Sequence, residues 1–310
     1  MASTAPLKTS SANRLWRYFL VLFRMLVLLV VLGYGTICVY LFSLQTKMIY
    51  TGSAYPISTE AAIHDAKDAG LVPWDHPSSG AISPQGYVRP DFASPAPRGT
   101  IIYFHGNGET AWERIDQVNA FTQRGFRVFL YEYPGYGGRK GVPSEKTIVP
   151  DARALVRSLA DAGYGPIYIW GQSLGTGVAS AVCADTTLPI QGLSLVAPWD
   201  NIANVGLSLY PYLPVRQLMI DKYDSIANLQ AFKHPICVIR GDKDDTILPP
   251  LSLNLYANLP EPKKMMVMEG YGHADWPDSP DLPWWDEALN FIAPPPATSP
   301  AAVTSAKAGH

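Results

Sequence analysis

Residues 167–175 read IYIWGQSLG, a short apolar run that stops at Gly171, a serine two residues on, and a helix-forming stretch that opens at Leu174. Glycine lacks a Cβ, so Gly171 and Gly175 let the backbone reverse sharply around Ser173. The turn lifts the serine hydroxyl above the end of the strand. The helix that follows directs its positive N-terminal end at the same place. A G-x-S-x-G pentapeptide has meaning only between a strand and a helix, and here that context is present.

The flanking sequence repeats the same alternation. Apolar runs at 100–104, 127–133, 167–170, 192–196, 236–239 and 264–268 each stop at turn residues such as Gly106, Pro134, Gly171, Pro198, Gly241 and Gly270. They lack strict polar–apolar alternation, as expected of strands covered on both faces. Helical stretches at 110–123, 144–162, 174–185 and 250–258 separate several of them. The expected fold class is therefore α/β, a mostly parallel sheet with helices on both faces. Ligands of such sheets gather beyond the carboxyl ends of the strands.

A serine hydroxyl is a poor nucleophile until a base takes its proton and an acid orients the base. In the order this elbow implies, the acid and then the histidine follow the serine. Of six histidines, His273 in EGYGH is the one beyond the elbow that stands just past a strand with glycines around it. The acid belongs to GDKDDTILP, 241–249, after the strand ICVIR. Asp244 has the favoured spacing from Gly241, Asp245 is the alternative, and Asp242 reads as a solvated turn residue. Oxyanion donors are expected from the backbone N–H groups of Asn107, in HGNGE after the first strong strand, and of Leu174, after the serine. His105, at a strand end, suits a structural hydrogen bond.

The motifs HGNGE, EYPGYGGRKGVPSE (132–145), GQSLG, APWDN (197–201), YDS (223–225), GDKDDTILP and GYGH resemble those of the α/β-hydrolase superfamily. They are most similar to its serine-aminopeptidase-like branch and, within it, to membrane-anchored hydrolases of the bud-emergence type. Those relatives also carry a transmembrane helix followed by a segment like KMIY, 47–50. The resemblance covers roughly residues 45–293. It implies the α/β-hydrolase fold and hydrolysis of esters, thioesters or amides, with lipid esters and protein-bound acyl chains among the family's substrates. Two positions depart from the pattern. Asn107 stands where kin vary between small and polar residues. Leu248 stands where kin often have the first of two prolines after the acid, which keeps Asp245 open.

Only 16% of the residues are charged, well below the roughly 25% of an average soluble chain. The first fifty residues are sparser still, with five charges, all of them basic. Residues 25–44, MLVLLVVLGYGTICVYLFSL, carry no charge, and at about 1.5 Å per residue they span the roughly 30 Å hydrocarbon core. Trp16, Tyr18, Tyr40 and Tyr50 suit interfacial belts. No clear small-x-small cleavage site follows, which favours a retained anchor over a signal peptide. Lys8, Arg14, Arg17 and Arg24 precede the run with no acidic residue among them. The positive-inside bias then puts the N-terminus in the cytoplasm and the large domain outside it.

The expected organisation is a basic cytoplasmic tail, 1–24, a transmembrane helix, 25–44, a connecting segment, 45–95, a catalytic domain, 96–293, and a Pro/Ala/Ser-rich disordered tail, 294–310. One or two edge strands are expected in the connector, and a short helix opened by Ser58 and closed by Gly70. The segment between Trp199 and His234 fills a lid position. Its apolar residues either pack on the sheet as small helices or wall an acyl site, and Trp276, Trp284 and Trp285 share that ambiguity. The net charge of −2 lacks the footprint of a nucleic-acid binder. Three scattered cysteines make no disulfide framework or cysteine zinc site. No metal or organic cofactor is implied. The expected partners are an acyl substrate, lipid-like in character, and the membrane. The expected function is that of a membrane-anchored serine hydrolase. The rivals are a peptidase or amidase on the same fold and a catalytically silent, membrane-tethered binding protein.

Overall fold

The computed structural model describes residues 11–74, 84–96, 98–273, 275–277 and 279–295. The chain divides into two compact units between Gln45 and Thr46. The first is one helix, α1, which runs Ser11–Ile49 and so continues past the division. Residues 11–24, read from sequence as a basic tail, are helical: Arg14, Arg17 and Arg24 are good helix formers, and no proline interrupts them. The stretch Asn13–Ile49 contains an 18-residue window of mean hydropathy 2.4 and is long and apolar enough to cross a membrane. Trp16, Tyr18 and Tyr40 are exposed on it. Residues 1–10 and the terminal stretch from 296 lie outside the described residues.

The second unit is an α/β sandwich. Its elements in chain order are α2 (Thr59–Asp68), β1 (Val72–Trp74), β2 (Gly86–Val88), β3 (Gly99–Phe104), α3 (Ile115–Thr122), β4 (Phe126–Tyr131), α4 (Glu145–Asp161), β5 (Ile167–Gln172), α5 (Leu174–Cys183) and β6 (Ile190–Val196). These are followed by α6 (Ile202–Leu209), α7 (Val215–Leu218), α8 (Ser225–Leu229), β7 (Ile236–Gly241), α9 (Pro249–Asn258), β8 (Lys263–Met268) and α10 (Trp284–Ile292). The eight strands form one sheet in the order β1-β2-β4-β3-β5-β6-β7-β8. From β4 through β8 every pairing is parallel, while β1 and β2 pair antiparallel at one edge. The connector thus supplies two edge strands and α2, with the Ser58 side chain capping the helix by accepting from Ala61 N.

The central strands are largely apolar because each feeds two cores. Side chains alternate faces with a period of two. Ile102, Phe104, Phe129, Ile169 and Val238 join Leu155 of α4 and Val178 of α5 in one core. Ile101, Tyr103, Val128, Trp170 and Ile239 join Phe121 of α3 and Trp285 of α10 in the other. Trp285 resolves its ambiguity by burial there, stacked on Trp284 with ring centroids 3.9 Å apart.

Tyr50 is a correction to the sequence reading. It was expected in an interfacial belt, but it is fully buried, and its hydroxyl donates to Asp221 Oδ2 at 2.6 Å. The helix ends at Ile49 and the chain turns at once through a tight turn, Thr51–Ala54, so the phenol enters the domain. Burial raises the Tyr50 phenol well above its ordinary range, and the neighbouring Tyr223 and Asp221 add to the effect. In the lid position α6 and α7 are indeed small helices. Val215 is buried, whereas Leu209, Tyr210 and Tyr212 are exposed.

Candidate active site

Ser173 sits between β5 and α5 with φ +50° and ψ −116°. A non-glycine residue rarely adopts a positive φ, and the surrounding packing has to hold it there. The structure shows how. A Cβ on Gly171 would lie 2.5 Å from the Gly175 carbonyl oxygen, and one on Gly175 would lie 2.0 Å from the Phe104 carbonyl oxygen. Both glycines are therefore required for close approach. The elbow closes on itself, and α5 presses directly on the end of β3.

That approach carries the HGNGE loop to the serine. A Cβ on Gly106 would stand 3.8 Å from Ser173 Cβ. Asn107 and Leu174, the two residues expected to donate backbone N–H groups, thus belong to the loop and the helix start that flank Ser173. The loop is tightly tied. Gly106 N donates to Glu109 Oε1 at 2.5 Å, and Glu109 is engaged on its other oxygen by Arg114. His105 is wholly buried: Nδ1 meets the Gly106 carbonyl oxygen at 2.8 Å and Nε2 meets Glu132 Oε1 at 3.1 Å. Its structural assignment from sequence agrees with that position. Tyr133 Oη donates to the His105 carbonyl at 2.7 Å, and Tyr136 Oη to the Asn107 carbonyl at 3.0 Å. The EYPGYGG stretch is therefore the brace beneath this loop.

His273 reaches the serine from the loop after β8. Its Nε2 is 3.0 Å from Ser173 Oγ, and its Nδ1 is 2.8 Å from Asp244 Oδ2. The His273 side chain is 20% exposed and that of Asp244 only 3%, so one end of the relay is open to a reactant and the other is sealed. Asp244 Oδ1 accepts from Thr246 N at 3.0 Å and Ile247 N at 2.7 Å. These bonds fix the carboxylate plane and leave Oδ2 for the imidazole. Asp245, the alternative acid, points to solvent beside Thr246 Oγ1. Asp242 accepts from Gly270 N at 2.7 Å and ties the acid loop to the histidine loop.

Sequence reasoning singled out Trp276 but not its bond to the histidine loop. Trp276 Nε1 donates to the His273 carbonyl at 2.8 Å, with the ring nearly buried. The signal was its place three residues after His273, within reach of a local side-chain-to-backbone bond. Among the described residues no group of three or more His, Cys, Asp and Glu is arranged to hold a metal ion.

Comparison with known proteins gives the relationship. A family model described as serine aminopeptidase, S33, matches residues 95–222. Rv2307c of Mycobacterium tuberculosis, an uncharacterized protein, is 32% identical over 253 residues, covering 80% of this chain and 87% of its own. The lysophosphatidylserine lipase ABHD12 of Danio rerio is 31% identical over 168 residues, 48% of this chain and 44% of the lipase, so the match spans under half of that relative. Among solved structures, an α/β hydrolase of Vibrio vulnificus matches with TM-score 0.54 at 18% identity, covering 76% of this chain and 87% of its own. Est1E of Butyrivibrio proteoclasticus, solved with ferulic acid, matches with TM-score 0.56 at 16% identity, covering 67% and 93%. At such identities the structural likeness is one of fold. The chain belongs to the α/β-hydrolase superfamily.

Proposed function

We propose that this protein is a membrane-anchored serine hydrolase that cleaves carboxylic esters or thioesters of lipid-like acyl substrates through an acyl-enzyme. The observation that carries the reading is the continuous relay from Ser173 Oγ through His273 to Asp244, at 3.0 and 2.8 Å. Ser173 Oγ attacks the acyl carbon while His273 Nε2 takes its proton. Asp244 keeps the Nδ1 proton in place and stabilises the imidazolium. The carbonyl oxygen, now an oxyanion, accepts from Asn107 N–H and Leu174 N–H, with the N-terminal end of α5 adding positive potential. Collapse expels the alcohol or thiol, which takes the proton from His273. Water then enters along the same path: His273 removes its proton, the acyl carbon is attacked, and Ser173 recovers its hydrogen as the acid leaves.

A lipid-like substrate is supported by the named activity of the ABHD12 relatives and by α1, whose apolar stretch would hold the enzyme at the phase where such substrates reside. The charge bias around α1 supports a cytoplasmic N-terminus with the catalytic unit on the far side. Cleavage at free amino termini is less favoured. It needs a carboxylate to hold the ammonium, and Glu109 on the oxyanion loop is already engaged by Gly106 N and Arg114. The test is covalent labelling by a fluorophosphonate. Wild-type protein should label and Ser173→Ala should not, with melting temperature retained; an alanine variant that labels to the wild-type extent refutes the assignment.

A further inference from the structure

The residues that follow α1 run directly beneath the oxyanion loop. Gly52 N donates to the Asn107 carbonyl oxygen at 2.7 Å, and Thr51 Oγ1 donates to the same oxygen at 2.9 Å. Tyr136 Oη is the third donor, at 3.0 Å. The fit is close. Gly52 is buried, and a Cβ there would lie 2.3 Å from Tyr136 Cε1 and 3.2 Å from the Asn107 oxygen. Tyr50, two residues earlier, is pinned through its hydroxyl to Asp221 at 2.6 Å and Tyr223 at 3.1 Å. Ser53 N and Oγ both return to the Tyr50 carbonyl. The segment is therefore held rigidly on one side while it grips the loop on the other.

Asn107 needs that grip. It lies between Gly106 and Gly108, and glycine on both sides leaves the intervening peptides free to rotate. A peptide unit is planar, so fixing its carbonyl oxygen also fixes the N–H on its opposite edge. His105 Nδ1 holds the Gly106 oxygen, which sets the plane carrying Asn107 N–H. Three donors on the Asn107 oxygen then set the next plane. With both planes fixed, Asn107 N–H has one direction. We infer that Thr51 and Gly52, together with Tyr136, are positioning residues for the oxyanion donor, so that the chain leaving α1 is a working part of the catalytic machinery.

The inference rests on the proposed role of Ser173 and the oxyanion donors, and its test separates the two. Full-length protein in nanodiscs would carry Thr51→Val, which keeps the shape and removes the hydroxyl, Thr51→Ser, which restores it, and Tyr136→Phe. Turnover of p-nitrophenyl butyrate and inhibition by an aryl trifluoromethyl ketone, which forms a tetrahedral oxyanion adduct on the serine, are measured for each. Losing a whole oxyanion donor costs about 10²–10³ in turnover, so loosening one by a single brace should lower kcat about five- to tenfold. The double variant Thr51→Val/Tyr136→Phe should approach about 10² on the same scale. KM should hold, ketone affinity should fall in parallel with kcat, melting temperature should stay within a few degrees, and Thr51→Ser should recover most of the loss. Wild-type kcat and ketone affinity in the double variant overturn the inference. So does a loss that Thr51→Ser fails to recover, or one that merely follows melting temperature. If Ser173→Ala is inactive while the double variant is normal, this inference alone fails. If Ser173→Ala keeps turnover, the reading of the site fails with it.

Discussion

Replacing Asp244 with asparagine exchanges one heavy atom and should remove most of the activity. The asparagine oxygen can still accept from Thr246 N and Ile247 N, which now hold Oδ1 at 3.0 and 2.7 Å. The loop therefore has reason to stay in place. The other carboxylate oxygen, 2.8 Å from His273 Nδ1, becomes an NH2 group. A donor then faces a donor, and the imidazole responds by moving its proton to Nε2. From there it can no longer accept the Ser173 proton across the 3.0 Å contact. In a triad of known mechanism the same exchange costs about 10⁴ in turnover, equivalent to about 5.5 kcal/mol at 1.36 kcal/mol per tenfold. Asp245→Asn is the control. That side chain is exposed and meets only Thr246 Oγ1, at 3.4 Å, so its loss should stay within about 0.5 kcal/mol, or roughly twofold. Steady-state turnover of one activated ester by both variants decides the matter. If Asp245→Asn is the more damaged, or if neither loses more than about tenfold, the reasoning from the Asp244 geometry is wrong.

Two other outcomes follow from the buried phenols and from α1. Burial raises the phenols of Tyr50, Tyr131, Tyr133, Tyr136 and Tyr223. Above about pH 10 the unfolded chain loses these protons and the native chain keeps them, so stability is intact at neutral pH and falls as pH rises, by up to about 7 kcal/mol per pH unit for the set. Tyrosinate absorbance and circular dichroism should change together in one cooperative alkaline transition; a gradual titration of every tyrosine near pH 10 with the fold intact would contradict it. For α1, protease added to intact cells or spheroplasts should digest the catalytic unit and spare an N-terminal tag, whereas protection of the unit would reverse the orientation.

Much of the fold was legible because its signals are local. Each apolar run ended where a glycine or proline forced a turn, and the six strands β3 to β8 appear at those runs, with ends shifted by one or two residues. Ser173 and His273 were legible for the same reason: each stands where a strand ends and glycine lets the chain bend. The choice between Asp244 and Asp245 was not. Adjacent residues on an irregular loop point different ways according to backbone angles that spacing does not encode, and here the amides of Thr246 and Ile247 select Asp244. Tyr50 misled because an aromatic residue at the end of an apolar helix has the same local signature at a membrane interface as in a buried hydrogen bond. Its partner Asp221 is 171 positions away, beyond any local pattern. The bonds from Thr51 and Gly52 to Asn107 were hidden likewise, since a turn after a helix carries no mark of the loop it will support.

The left-handed backbone of Ser173 bears on how this chain can change over generations. A serine held at φ +50° costs of order 1–3 kcal/mol relative to an unstrained residue, a sizeable share of the roughly 5–15 kcal/mol by which a domain is stable. Glycine would release that strain. The fold by itself therefore favours glycine at this position, and under the proposed mechanism it is selection for turnover that would retain the serine. A lineage freed from its substrate would gain stability at its first substitution here and keep the sheet and the helices. Inactive descendants of such a chain should thus be sturdier than their active ancestor, and position 173 should be among the first to show the loss.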